Sequence, residues 1–286
     1  MDKELFDIGD NEIRVVGRTS SEGGKPKPKR RWWLWILLAL LLIIVFYVVT
    51  LATHRSFQSP STYSQEPVAD TTQQITFEMS TESKAYTQVS NDSINDISLR
   101  IYTPIGGHVE LFVGRIPFDD KSIFLATQAA DYRADNGNIS GAFVYRGELL
   151  SRGHPKYGFC AIIGDKITMG MSQETVLFER AVEQEGYFFR QFSLVHDGKP
   201  GEKTPKGKAI RRALCYYNES IAIIESVDCE SMHDFSQALI DLGVQEAISL
   251  VGSIELPLYE NEDGKRVISK LEHKEEVQET YIVWRK

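Results

Sequence analysis

The chain has 286 residues and a formal net charge of -8. That acidic balance argues against nucleic acid as a partner, because neutralising phosphates needs a basic face. Cys160, Cys215 and Cys229 are an odd set with no metal-ligand spacing. They allow either one intramolecular disulfide or buried free thiols.

Residues 1–31 begin polar and acidic, and Gly23-Gly24 lead into an alternating Lys-Pro segment. The stretch has no helical or strand period and reads as a disordered cytoplasmic tail. Residues 32–52, WWLWILLALLLIIVFYVVTLA, carry no charge, Gly or Pro. Since roughly 20 apolar residues cross a bilayer core, they are expected to form a single transmembrane helix.

Lys25, Lys27, Lys29, Arg30 and Arg31 precede that run and only Arg55 closely follows it, so the N-terminus is expected in the cytoplasm. The rest is then expected outside it, with the periplasmic face of a bacterial inner membrane preferred. Residues 53–75 are rich in Ser, Thr and Gln, a stalk or linker composition. About 210 residues remain for one extracytoplasmic domain, 76–286.

Within it, short apolar runs separated by turn residues predict strands: ITFEM, ISLRIYTP, HVELFVGRI, SIFLATQAADY, GAFVYRGELL, FCAIIG, KITMGM and FSLVHDG. RRALCYYNESIAIIESVD predicts a hairpin with Asn218-Glu219-Ser220 at its tip. Ser231 can cap a helix in which Phe235, Leu239 and Leu242 recur, with Gly243 as its stop. A second helix is expected over Glu174 to Gln184. The fold class read from this mix is α+β with strands in the majority. The chain shows no phosphate-binding glycine loop, zinc spacing or nucleophile elbow, and no cofactor or metal is expected.

Residues 129 to 148, AADYRADNGNISGAFVYRGE, resemble the signature of the phosphodiester glycosidase family. Asp131, Tyr132, Gly137, Gly141, Val144, Gly147 and Glu148 fall on matching positions without a gap. Later blocks recur in the same order: GFCAIIGDKITMG, YFFRQFSLVHDGKP, IRRALCYYNESIAIIESVD and SMHDFSQALIDLGVQEAISLVGS. The resemblance covers residues 97–255 and implies a domain of that family's fold, whose members hydrolyse a sugar-1-phosphodiester. Such chemistry needs acid and base groups and phosphate recognition.

The sequence departs from the family where its chemistry resides. The family's Asn-Gly falls on Ala129-Ala130, the Gly after Arg-x-Ala falls on Cys215, and Leu-Asp-Gly-Gly falls on Leu250, Val251, Gly252 and Ser253. The residues left to carry a site are Asp131 as a catalytic carboxylate, with Arg211, Arg212 and Arg190 as binders of an anionic ligand. The expected function is a membrane-anchored envelope protein that binds or processes a glycan or sugar phosphate with reduced hydrolysis. An active enzyme with a rearranged site, or an interaction scaffold, are the alternatives.

Overall fold

The computed structural model describes residues 40–42, 74–79, 84–133, 135–253, 256–268 and 279–286. Among them eighteen strands, all in antiparallel pairs, form three sheets. The first sheet, in the order β1-β9-β8-β10-β6-β7, joins β1 (Gln74–Glu78), β6 (Phe143–Tyr145), β7 (Glu148–Ser151), β8 (Gly158–Ile163), β9 (Lys166–Met171) and β10 (Tyr187–Gln191).

The second, β12-β11-β15-β13-β14-β3-β2, contains β2 (Tyr86–Ile94), β3 (Ile97–Ile105), β11 (Ser193–His196), β12 (Lys199–Pro200), β13 (Lys208–Tyr217), β14 (Ser220–Ser231) and β15 (Glu246–Leu250). The third, β17-β16-β5-β18-β4, contains β4 (His108–Val113), β5 (Ile123–Gln128), β16 (Leu258–Glu260), β17 (Arg266–Val267) and β18 (Thr280–Arg285).

Strand alternation explains why so many runs are apolar on both faces. On the β13/β14 hairpin Leu214, Ile221 and Ile223 enter a central core that also takes Tyr102, Phe124, Cys160, Phe189 and Trp284 from the three sheets. Ala213, Cys215, Ala222 and Ile224 face the other way, under Phe235 and Leu239 of helix α2 (Met232–Leu242). Helix α1 (Val176–Glu183) similarly covers the outer face of β8 and β10, setting Leu177 and Ala181 against Phe159 and Phe188.

Local chemistry placed these elements where the sequence indicates. The hairpin turns at Asn218 and Glu219, with φ of 49° and 58°, the left-handed pair of a type I′ turn. Ser231 caps α2 by accepting from the Asp234 amide, and Gly243 ends it in the left-handed region. Helix α1 is shorter than expected and begins after Thr175, whose hydroxyl accepts from the Leu177 amide. Cys160 and Cys215 are buried free thiols, pushed well above the ordinary thiol range by burial, and Cys229 is exposed and free.

Two expectations are corrected. The expected class, α+β preceded by a transmembrane helix, gives way to a strand-dominated fold in which, among the described residues of 74–286, the helices, of eight and eleven residues, only cover sheet faces. Two well-capped helical segments weighed too heavily against many short strands. The single-pass topology, with its extracytoplasmic and periplasmic placement, is not supported either. No helix among the described residues is long and apolar enough to cross a membrane. Of the predicted span only Leu40, Leu41 and Leu42 are described, as helical and exposed. The rest, like the expected tail and most of the stalk, lies outside the described residues. Hydropathy states what such a run could do in a bilayer, not that it does so.

Candidate functional site

β5 lies between β16 and β18 in the third sheet, and the signature segment begins where it ends. Ala129 and Ala130 continue the line of the strand, both buried. The Ala129 amide donates to the Thr280 carbonyl at 2.9 Å and the Ala130 amide to Thr280 Oγ1 at 3.0 Å. Two small apolar side chains in the central core therefore stand where the family pattern has Asn-Gly.

Beyond them the chain makes a tight excursion closed by a bridge between Tyr132 and Ile139. The Ser140 amide donates to the Asp131 carbonyl at 2.7 Å, and the Arg133 amide to the Asn138 carbonyl at 2.8 Å. Asp131 sits exposed at the base of this loop, its carboxylate accepting from the Tyr132 amide at 2.9 Å. At Gly141, with φ of +95°, a Cβ would lie 2.4 Å from the Arg190 carbonyl oxygen. Only glycine lets the two backbones approach so closely.

The charge of Asp131 reaches a residue that no sequence motif marks. Lys156 is 7% exposed, donates through Nζ to Gln191 Oε1 at 2.7 Å, and lies 4.9 Å from the centre of the Phe192 ring. Burial lowers its pKa, against the attraction of Asp131 and Glu202. Gln191 in turn donates to the Ser140 carbonyl at 3.4 Å.

Arg190 holds the Lys156 segment in place. Its Nη1 donates to the carbonyls of Lys156, Tyr157 and Ser172 at 3.1, 3.2 and 2.5 Å, and its Nη2 to Gln173 at 3.2 Å. The guanidinium is thus occupied by backbone carbonyls, and it lies beside the stacked rings of Phe159 and Phe188, 5.9 and 5.5 Å from their centres. Glu202 braces the same segment by accepting from the amides of Tyr157, Gly158 and Ser193 at 3.0, 3.3 and 2.8 Å.

Arg212 lies apart from this group. Its Nε and Nη2 donate to Glu225 Oε2 at 2.9 and 2.6 Å, and its Nη1 donates to Thr127 Oγ1 at 2.9 Å and the Val251 carbonyl at 3.3 Å. The other carboxylate oxygen of Glu225 accepts from Arg100 at 3.1 Å and from the Tyr102 hydroxyl at 2.9 Å. Arg212 so ties together the end of β5, the β13/β14 hairpin and the end of β15. Thr127 and Asp131 are four residues apart, hence at most ~14 Å. The slot beside Arg212, lined also by Thr127, Gln128, Ser253 and Tyr281, has a volume of about 20 Å³, room for roughly one water.

Arg211 points elsewhere. It donates through Nε to the Glu230 carbonyl at 2.8 Å and through Nη2 to the Gly207 carbonyl at 2.5 Å. Of the four residues singled out in the sequence, Arg190 holds the backbone of Lys156, on which the Asp131 charge acts, Arg212 reaches the same strand end through Thr127, and Arg211 joins neither group.

A second carboxylate stands beside Thr280 in sequence. Glu279 is 7% exposed and accepts from the Tyr281 hydroxyl at 2.7 Å. Burial, and after it the charges of Glu279 and Asp131, raise the pKa of Tyr132, so both acids act on one phenol. Glu279 lies beyond the family-like stretch, and nothing in its sequence context marks it. Glu225 could have been found, since it and Arg212 each stand six residues from the Asn218-Glu219 turn. No group of three or more metal-ligating side chains occurs among the described residues.

Among solved structures, the chain is similar to the zebrafish N-acetylglucosamine-1-phosphodiester alpha-N-acetylglucosaminidase catalytic domain, auto-inhibited by its pro-peptide. The TM-score is 0.52 at 15% identity, over 74% of this chain and 88% of that one. The likeness is one of fold. A hypothetical protein from Synechocystis gives a TM-score of 0.42 at 12% identity, over 70% of this chain and 62% of that one. No family model matches the chain, and no curated protein matches it significantly in sequence. What is shown is a distant similarity to a phosphodiester glycosidase domain.

Proposed function

We propose that this chain uses a phosphodiester-glycosidase-like fold to bind a glycan or sugar phosphate near the end of β5, with strongly reduced hydrolysis. The observation that carries this reading is the burial of Ala129 and Ala130 in the central core, at the positions where the family pattern has Asn-Gly. A polar group absent from a preorganised site typically costs about 100- to 1,000-fold in rate. The pairing of Arg212 with Glu225 supports the same reading, since that guanidinium already has a carboxylate to serve. Asp131 and Lys156 are the groups proposed to meet the ligand, with Arg190 as a positioning residue for Lys156.

The full chain, incubated with a panel of sugar-1-phosphodiesters and free glycans, is expected to show binding by calorimetry and turnover near background. Fast turnover abolished by Asp131→Asn would overturn the reduced-activity reading. It would favour a rearranged enzyme, with the buried Glu279, next in sequence to the Thr280 that holds Ala129 and Ala130, as the second acid: Glu279→Gln should then abolish turnover as well, because glycoside hydrolysis uses two carboxyl groups. If no sugar ligand binds or turns over, the fold serves as a protein-interaction scaffold instead.

A further inference from the structure

Beside the signature loop lies a cavity of about 380 Å³ whose polar lining comes from Arg133, Asn136, Asn138, Ser151, Arg152 and His154. Both of its walls are fixed by backbone contacts. The 131–140 loop is closed by the Tyr132–Ile139 bridge, and Ser151 Oγ donates to the Ile139 carbonyl at 2.9 Å. A Cβ on Gly153 would lie 2.1 Å from the Gly141 carbonyl carbon, so the two loops cross in direct backbone contact. The concavity is therefore built into the fold.

Its chemistry is opposite to that of the chain as a whole. The protein carries a net charge of -8, yet the lining has two arginines and a histidine and no carboxylate. Arg133 is held by a two-point pair with Asp135, at 2.8 and 2.5 Å, and also meets His154. Arg152 is exposed and makes no ion pair among the described residues. Asn136 Oδ1 accepts from the Asn138 amide at 3.0 Å, which leaves the amide NH2 of each Asn to meet a hydroxyl. A volume in the range of small-ligand pockets, a free guanidinium fork and several amides suit an anionic group carried on a hydroxyl-rich ring.

We propose that this cavity is the anion subsite for a phosphorylated sugar, with Arg152 taking the phosphate oxygens and Asn136 and Asn138 the ring hydroxyls. The assignment rests on the sugar-phosphate reading above and adds the place and the residues. Arg152 is the residue to test, because it is exposed and its replacement leaves the loop contacts intact.

The full chain is titrated by calorimetry with glucose 1-phosphate, inorganic phosphate and glucose, as wild type, Arg152→Gln and Asn138→Ala, with thermal melting of each. The expected order of affinity is glucose 1-phosphate, then phosphate, then glucose. Arg152→Gln should weaken glucose 1-phosphate about tenfold or more, as loss of a charge-assisted contact does, with the melting temperature unchanged. Asn138→Ala should weaken glucose 1-phosphate but not phosphate. Equal affinity of glucose 1-phosphate for wild type and folded Arg152→Gln overturns the subsite and leaves the sugar-phosphate reading standing. Phosphate binding that depends on Arg152, without any gain for glucose 1-phosphate, keeps the anion site and removes the sugar. If none of the three binds wild type, the subsite is overturned, and turnover or binding in the broader glycan panel decides the function reading separately.

Discussion

At the scale of single residues, two of the buried cations, Arg212 and Lys156, differ in how their charge is met, and this sets opposite expectations for their removal. Arg212 and Glu225, 4% and 2% exposed, satisfy each other and recruit Arg100, Tyr102 and Thr127. Breaking a buried pair leaves an uncompensated charge and costs about 3–5 kcal/mol. Glu225→Ala should lose that much in urea unfolding, whereas the apolar pair Arg212→Met with Glu225→Leu should recover most of it. A loss below about 1 kcal/mol in the single variant, against that expectation, would mean that water reaches the pair. Lys156 has a neutral amide as its hydrogen-bond partner. An ammonium desolvated with no carboxylate in hydrogen-bond contact is costly, and the more distant charges of Asp131 and Glu202 offset only part of that, so Lys156→Met should leave stability within about 1 kcal/mol of wild type or raise it, while sugar-phosphate binding falls. A stability loss above about 2 kcal/mol would recast Lys156 as a structural residue. Asp131 was legible because its neighbours in sequence resemble a signature. Lys156 and Glu279 were not, since tertiary structure alone brings them to the end of β5.

At the scale of elements, legibility followed whether the information was local. The β13/β14 hairpin and α2 are specified by their own turn and cap residues, and both formed where the sequence indicates. Ser231 accepts from the Asp234 amide at 3.0 Å and donates to the Asp234 carboxylate at 2.7 Å. Ser231→Ala should therefore cost about 1 kcal/mol in the unfolding midpoint; no change would mean that packing on the second sheet alone holds the helix end. β2, YTQVSNDSI, was missed because it is the edge strand of the second sheet and mostly exposed, so it shows no apolar alternation. β18 was missed for the opposite reason: TYIVW is buried throughout, between β4 and β5. Short apolar runs of that kind do not declare their period. The partners of β18 come from more than 150 residues earlier, and without it neither the third sheet nor the placement of Thr280 under Ala129 and Ala130 can be anticipated.

At the scale of the whole molecule, the stability of the fold should depend on pH through a pair that no functional reading uses. His196 and Glu246 face each other across β11 and β15, with Nδ1 to Oε1 at 2.5 Å, and the other oxygen of Glu246 has no hydrogen-bond partner among the described residues. Burial, with a smaller push from the Asp197 charge, raises Glu246 to about 8, although the Asp197 amide pulls it down. Burial lowers His196 while Asp197 raises it and Lys199 lowers it. Both shifts favour an uncharged pair. Because the folded pKa of Glu246 is raised, its contribution is fully present below the ordinary carboxylate range and is lost as pH climbs to about 8. The depressed His196 acts in the other direction, and only below its ordinary value of roughly 6.5. Between about pH 6.5 and 8 the Glu246 effect therefore stands alone, and stability should fall by at most about 1.4 kcal/mol per pH unit. Urea unfolding at several pH values across that window should show the decline in wild type and a flatter profile in Glu246→Gln, which has no proton to lose. An unchanged slope in the variant would place the titrating proton elsewhere in the molecule.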